Sequence, residues 1–192
     1  CIVVGALQNP VFREWLAINN LDCSDIDGEQ ERYIQRTYGD NAENLLICGS
    51  DKRGAMWGIY DLCENVLGVD PLYFWTDNAP QKQTSLSLDT LDINSESPTF
   101  RFRGWFLNDE DLLTEWLNGG GKRYIDYPFY AQVTHQDVMA RVIESLLRLR
   151  QNLVIPASFI DIMNPAEENL VRMATERGLW VSQHHVEPMG VS

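Results

Sequence analysis

The sequence predicts a mixed α/β protein built in two parts, and three features of the chain predict it. Short β-branched or leucine-rich runs, such as Ile2-Val3-Val4 and Leu45-Leu46-Ile47-Cys48, alternate with stretches whose apolar residues recur at helical spacing. The first part orders these elements as β-α-β-β-α-β, the split βαβ arrangement. A polar run ending in proline, Asn94-Ser95-Glu96-Ser97-Pro98, then leads into a second part whose order is β-α-β-α-β. The expected division is a small split βαβ domain over residues 1–93 and a parallel α/β unit over residues 94–192.

In the first part, Ile2-Val3-Val4 is expected as a buried strand. Pro10 suits the first turn of a helix, with Val11, Phe12, Trp15, Leu16 and Ile18 forming its apolar face. Arg32–Arg36 alternates as a strand, and Leu45–Cys48 is a second buried one. The turn Gly49-Ser50-Asp51-Lys52-Arg53-Gly54 precedes a helix N-terminus and carries two cations, the setting of an anion cradle. Its spacing is not that of a P-loop, and a structural role is the preferred reading. The helix after it is expected to present Met56, Ile59, Tyr60, Cys63, Val66 and Leu67 on one face and to end at Gly68. Pro71–Trp75 is expected as a strand. Residues 81–98 alternate weakly and read as a linking strand.

The second part opens on Phe100–Asp111, read FRFRGWFLNDED: a strand-like run over Phe100–Leu107 that ends abruptly in Asn108, Asp109, Glu110 and Asp111. A long loop rich in glycine and tyrosine follows. Thr134-His135-Gln136-Asp137 resembles a capping box, and its helix carries Val138, Val142, Ile143, Leu146, Leu147 and Leu149. Leu153-Val154-Ile155 is the second strand. Asn164 caps the next helix, with Pro165 at its first position and Glu167 and Glu168 in its first turn, all suited to a helix N-terminus. Gly178 ends it. Leu179-Trp180-Val181 is the third strand, and it runs into Ser182-Gln183-His184-His185-Val186-Glu187-Pro188. Strands joined through helices are expected to lie parallel. Three strands do not close a barrel of eight, so they form either a small open sheet or the opening of a (β/α)8 barrel.

Composition narrows the function. The formal net charge is −13, with no cluster of Lys and Arg to replace the counterions of a nucleic acid or to bind an anionic membrane surface. No apolar run approaches the roughly 20 residues that span a bilayer. Cys1, Cys23, Cys48 and Cys63 lack C-x-x-C spacing, which argues against a zinc site, and Cys48 in an apolar strand and Cys63 on an apolar helix face read as buried free thiols. The chain starts at Cys1, inside a strand-like run, and is expected to be an internal piece of a longer protein.

The candidate chemistry lies at strand ends. Asp109 and Glu110 follow the first strand of the second part, and His184, His185 and Glu187 follow the third. In a parallel sheet these ends point the same way, so the two groups can share one cleft. Acids beside histidines suit general acid–base work, and facing carboxylates suit glycoside hydrolysis. A metal is the weaker reading, because adjacent histidines on an extended chain point to opposite faces. The same alternation allows one histidine to be buried and hydrogen-bonded while the other points out. Trp105, Trp116, Tyr124, Tyr127, Phe129 and Tyr130 could stack on sugar rings or simply fill a core.

The residues also carry a family likeness. Gly49–Gly54 through Gly58-Ile59-Tyr60, then Gly68-Val69 and Pro71–Asp77, resemble the N-terminal domain of glycoside hydrolase family 115. Arg103-Gly104 with Asn108-Asp109-Glu110, the run LRLRQNLVIPA, and His184-His185 with Glu187-Pro188-Met189 resemble that family's first strand, second strand and His-His-Glu-Pro-Met segment. The resemblance implies a truncated (β/α)8 barrel after the small domain. It implies an inverting, exo-acting α-glucuronidase that removes glucuronic acid or its 4-O-methyl ether from xylan or a related plant polysaccharide; no cofactor and no metal are expected. It carries Asp109 and Glu110 as catalytic candidates, and Asn108, His184, His185 and Glu187 as substrate-binding ones. Part of the catalytic pair is expected on later strands, so this piece alone is expected to be inactive. A homodimer through later parts, and a secreted or periplasmic home, are expectations of the same kind. Val186, set between His185 and Glu187, and the loop over residues 118–130 depart from the family pattern and put the role of Glu187 and the identity of the sugar in question. The rivals are a non-catalytic carbohydrate-binding protein and a glycosidase for a different sugar.

Overall fold

The computed structural model describes residues 1–85, 87–108, 111–125 and 131–184. The chain divides into two compact units, Cys1–Arg101 and Phe102–Ser192. The first holds β1 (Ile2–Ala6), α1 (Pro10–Ile18), β2 (Tyr33–Tyr38), β3 (Asn44–Gly49), α2 (Lys52–Asp61) and β4 (Asp92–Asn94). The sheet order is β1-β3-β2-β4, with β1 parallel to β3 and the other pairs antiparallel.

Side chains alternate across a strand, and β3 uses both faces. Leu46 and Cys48 join Ile34 of β2 in a core with Phe12 and Leu16 of α1, Cys23 and Ile26. Leu45 and Ile47 face the other way and pack with Leu62, Val66, Leu88 and Leu91. The sheet is therefore covered on both sides. Cys23 and Cys48 are buried free thiols, Cys63 is half-buried and Cys1 exposed. A hydrogen bond between the Cys23 and Cys48 thiols pulls Cys23 below the usual thiol range and pushes Cys48 above it.

Several local expectations are corrected. β1 is an edge strand rather than a buried one, and Ile2 and Val4 are exposed. In α1 the apolar face narrows to Phe12 and Leu16, with Trp15 half-buried and Val11 and Ile18 exposed. In α2 the buried face is not the apolar stripe. It is Gly54, Ala55, Trp57, Gly58 and Asp61, while Ile59 is exposed. Backbone proximity decides this: a Cβ on Gly54 would run into the Arg32 carbonyl, and one on Gly58 would meet Ile47. The turn before α2 has the structural contacts of the preferred reading, with the Asp51 carboxylate accepting from Gly54 N at 2.7 Å and from Glu31 N at 3.1 Å. α2 then passes into a π-helical turn over Leu62–Val66.

The strand expected at Pro71–Trp75 is a series of turns. Asp70 gathers them, accepting from Leu72 N at 2.8 Å, Thr76 Oγ1 at 3.3 Å and Asn78 Nδ2 at 3.1 Å. An Asx turn of this kind offers the backbone an alternative to a ladder. The fourth strand of the sheet is β4, within the stretch read as a linking strand, and it pairs with β2.

The second unit holds β5 (Gly104–Phe106), α3 (Asp111–Glu115), α4 (Gln136–Arg148), β6 (Leu153–Ile155), α5 (Pro165–Glu176) and β7 (Trp180–Val181). Its sheet order is β5-β6-β7, and both pairs are parallel. The strand expected over Phe100–Leu107 shortens to Gly104–Phe106. Gly104 is required there, because β5 lies so close to β6 that a Cβ would collide with the Leu153 carbonyl. α4 buries Val138, Met139, Val142, Ile143, Leu146 and Leu147, and α5 buries Leu170 and Ala174. These helices pack on each other, and α5 packs on β7. The capping box is replaced by a histidine cap, with His135 Nδ1 accepting from Asp137 N at 3.1 Å. Asn164 caps α5 as the sequence predicts, accepting from Ala166 N at 3.2 Å.

The close approach on α2 predicts a reversed sign. A helical Gly→Ala change normally stabilises by about 1 kcal/mol. Gly54→Ala should instead destabilise the chain by about 1–3 kcal/mol, the usual range for overpacking, as read from the urea midpoint. An unchanged or raised midpoint would contradict the packing of α2 on β2.

Candidate functional site at the C-terminal ends of the parallel strands

The three parallel strands of the second unit release their loops at one edge. Leu107 N donates to the Ile155 carbonyl at 2.9 Å, and Ser182 N to the Val154 carbonyl at 3.1 Å, so pairing continues just past each strand end. Asn108 follows β5, Phe159 follows β6 and His184 follows β7. His184 Nε2 lies 2.9 Å from Asn108 Oδ1. With the amide oxygen as acceptor, His184 Nε2 donates this hydrogen bond. The Phe106 ring lies 4.9 Å from the imidazole centroid and the Phe159 ring 6.3 Å. His184 is only 6% exposed. A polar pair is thus set among aromatic faces, with its hydrogen bond fixing the plane of the imidazole.

Of the predicted site residues, Asn108 and His184 are brought together. Asp109, Glu110, His185 and Glu187 lie outside the described residues, as do Tyr127, Phe129 and Tyr130. Among the stacking candidates, Trp105 is half-buried and Tyr124 is exposed. Trp116 has the Arg141 guanidinium 5.1 Å from its ring centroid. Among the described residues, no group of three or more His, Cys, Asp or Glu gathers as a metal site would require. None of the described helices is long and apolar enough to cross a membrane.

Two buried charges behind the rim were not singled out from sequence. Arg123 lies in the loop after β5 and Glu167 in the first turn of α5, each side chain 1% exposed, with Arg123 Nη1 3.8 Å from Glu167 Oε1. Arg123 donates through Nε to the Gln132 carbonyl at 3.1 Å and through Nη1 to the Phe159 carbonyl at 2.9 Å. Asn164 Nδ2 donates to Glu167 Oε2 at 3.0 Å and to the Lys122 carbonyl at 3.1 Å. Burial pushes the Glu167 carboxyl above the ordinary glutamate range, against the opposing pull of Arg123 and Asn164. Glu167 reads in sequence as a first-turn acid and nothing more. Arg123 has no periodic neighbour that would mark it as buried.

The profile of glycosyl hydrolase family 115 matches residues 95–192. The chain belongs to glycosyl hydrolase family 115. Among solved structures it is similar to a family 115 4-O-methyl-α-glucuronidase, BtGH115A, with specificity for decorated arabinogalactans. The two are 26% identical with a TM-score of 0.74, and the match covers 96% of this chain and 23% of that one. The chain therefore spans less than a quarter of the length of that family member. No curated protein matches it.

In this family 115 chain, the buried Glu167 makes a pH-dependent contribution of definite sign. Its folded pKa lies above its unfolded one, so the native state holds more protons between the two values. Stability then falls as pH rises from about 4.3 through the folded value. Relative to wild type, Glu167→Gln should therefore gain unfolding free energy as pH rises through that window, measured by denaturant titration at several pH values. A relative loss with rising pH would mean that Arg123 outweighs burial and holds the carboxylate charged.

Proposed function

We propose that the chain is the N-terminal part of an inverting, exo-acting glycoside hydrolase. Its substrate is a glucuronic acid, or the 4-O-methyl ether, carried as a side chain on a plant polysaccharide. Family membership supports the reaction class, and the activity stated for BtGH115A supports the sugar. The observation that carries the reading is the Asn108–His184 contact, since it joins the loops of two parallel strands at the end where such folds do chemistry.

Residues 94–192 are read as the opening strands of a (β/α)8 barrel following a domain over 1–93. The partial exposure of Phe106 (43%) and Trp180 (49%), on the sheet face opposite the buried Val154, supports this. Later strands would line that face as the barrel interior.

In the inverting reaction one carboxylic acid protonates the departing glycosidic oxygen while a carboxylate across the sugar activates water. Asp109 and Glu110 are the candidates here for proton transfer, with a partner on a later strand. Asn108, His184, His185 and Glu187 would bind the sugar. An imidazole and an amide between aromatic rings suit a pyranose, whose hydroxyls need donors and acceptors and whose C–H face packs on rings. The piece by itself would then lack part of its catalytic pair and turn nothing over. The polymer is xylan or a relative of it, and the specificity stated for BtGH115A favours a decorated arabinogalactan as the second reading.

The test uses the full-length protein with aldouronic acids and with glucuronylated arabinogalactan. Asp109→Asn or Glu110→Gln should lower kcat by about 100-fold or more, the usual weight of a general acid or base, and NMR of the first product should show the inverted anomer. Full turnover in both variants would remove both residues as catalysts. A wild-type protein that binds the sugars without cleaving them would make it a carbohydrate-binding module instead.

A further inference from the structure

The buried Arg123–Glu167 pair has an arrangement that stability alone does not explain. Taking two charges out of water costs several kcal/mol per ion unless their geometry is excellent. Here the closest approach is 3.8 Å, and Glu167 Oε1 has no hydrogen-bond partner among the described residues. An apolar pair would fill the same space at lower cost. What the charges do instead is tie separate loops. Arg123 holds the carbonyl of Phe159 in the loop after β6 and that of Gln132 on the return of its own loop. Through Asn164, Glu167 is linked to the Lys122 carbonyl. The backbone around it is laced as well, with Arg123 N donating to the Ala131 carbonyl at 3.1 Å and Val133 N to that of Gly121 at 2.8 Å. The two loops are therefore locked to each other through the pair.

That lock reaches the rim through one side chain. Phe159, whose carbonyl Arg123 holds, places its ring 6.3 Å from the His184 ring, and the Phe106 ring lies 4.9 Å from it. We propose that Arg123 and Glu167 are positioning residues for the sugar-binding rim: by fixing the Phe159 backbone they set the plane of the His184 ring and so its hydrogen bond to Asn108. The inference rests on the glycosidase reading of the same rim. Rings placed about 1 Å out of position can cost about 100-fold in rate, which is the reason to hold them with groups that have only one good geometry.

The test compares Arg123→Met, Phe159→Leu and Leu170→Ala. Leu170 is buried on α5, and its loss weakens the core without touching the tie. In the full-length protein with selectively labelled histidine, the nitrogen shifts of the His184 ring report its tautomer and its hydrogen bond directly. In the full-length protein, kcat and KM are measured where all variants are folded. Arg123→Met should move the His184 ring shifts and lower kcat by about 10- to 100-fold, and Leu170→Ala should do neither. Phe159→Leu keeps the ion pair and should reproduce the same signature, which decides the matter where Arg123→Met does not fold. An unmoved His184 signal in Phe159→Leu, or equal effects of Arg123→Met and Leu170→Ala on that signal, overturns the proposal. Because the ring shifts need no substrate, a wild-type protein inactive on uronic acids would sink the glycosidase reading while leaving this result readable.

Discussion

Parallel pairing is the constraint on which the rest of the second unit depends. β5, β6 and β7 run the same way, so the chain leaves all three at one edge and must return behind the sheet through a helix each time. The strands are only two or three residues long. Ladders that short fix direction and register but cannot by themselves hold long loops in place. Side chains complete the work. His184 and Asn108 bridge the ends of β7 and β5, and Arg123, Asn164 and Glu167 bind the loop after β5 to the loop after β6. Geometry at the rim is thus a product of backbone direction first and buried polar contacts second.

The first unit solves a different problem with different means. Its central strand β3 is buried on both faces, so helices must approach from both sides. On one side large residues of α1 fill the gap. On the other, α2 buries Ala55 and Trp57 and comes near enough at Gly54 and Gly58 that glycine replaces a side chain. Buried polar contacts join the packing there: Gln35 Nε2 donates to the Asp61 carboxylate at 2.7 Å and to the Gly58 carbonyl at 3.0 Å, and Trp57 Nε1 to the Glu31 carboxylate at 3.2 Å.

Direction and order were readable in the sequence because they follow from periodicity. Helices α1, α4 and α5, strands β3 and β6, and the Asn164–Pro165 start of α5 all follow from apolar spacing and capping chemistry. What periodicity could not show was anything set by backbone proximity or by distant partners. The stripe Met56–Ile59–Tyr60–Cys63 reads as a buried face, but the buried face is Gly54, Ala55, Trp57, Gly58 and Asp61, and its two glycines leave no hydrophobic signal. Pro71–Trp75 looked like a strand because its residues are strand formers, and the local bonds of Asp70 outweighed that preference. At the site, strand direction predicts that the loop end carrying Asp109 and Glu110 meets the one carrying His184; among the described residues the meeting is between Asn108 and His184. The Arg123–Glu167 pair did not, since a buried charge reads in sequence as an exposed one until its partner, 44 positions away in the numbering, is placed beside it.

The most direct test of the account is a crystal structure of the full-length protein with a glucuronic acid bound. The account predicts the sugar at the C-terminal ends of β5 and β7, with a ring oxygen, hydroxyl or carboxylate within about 3.2 Å of Asn108 or His184, the ordinary reach of a hydrogen bond. A sugar bound elsewhere, with Asn108 and His184 apart from each other and from it, would contradict it.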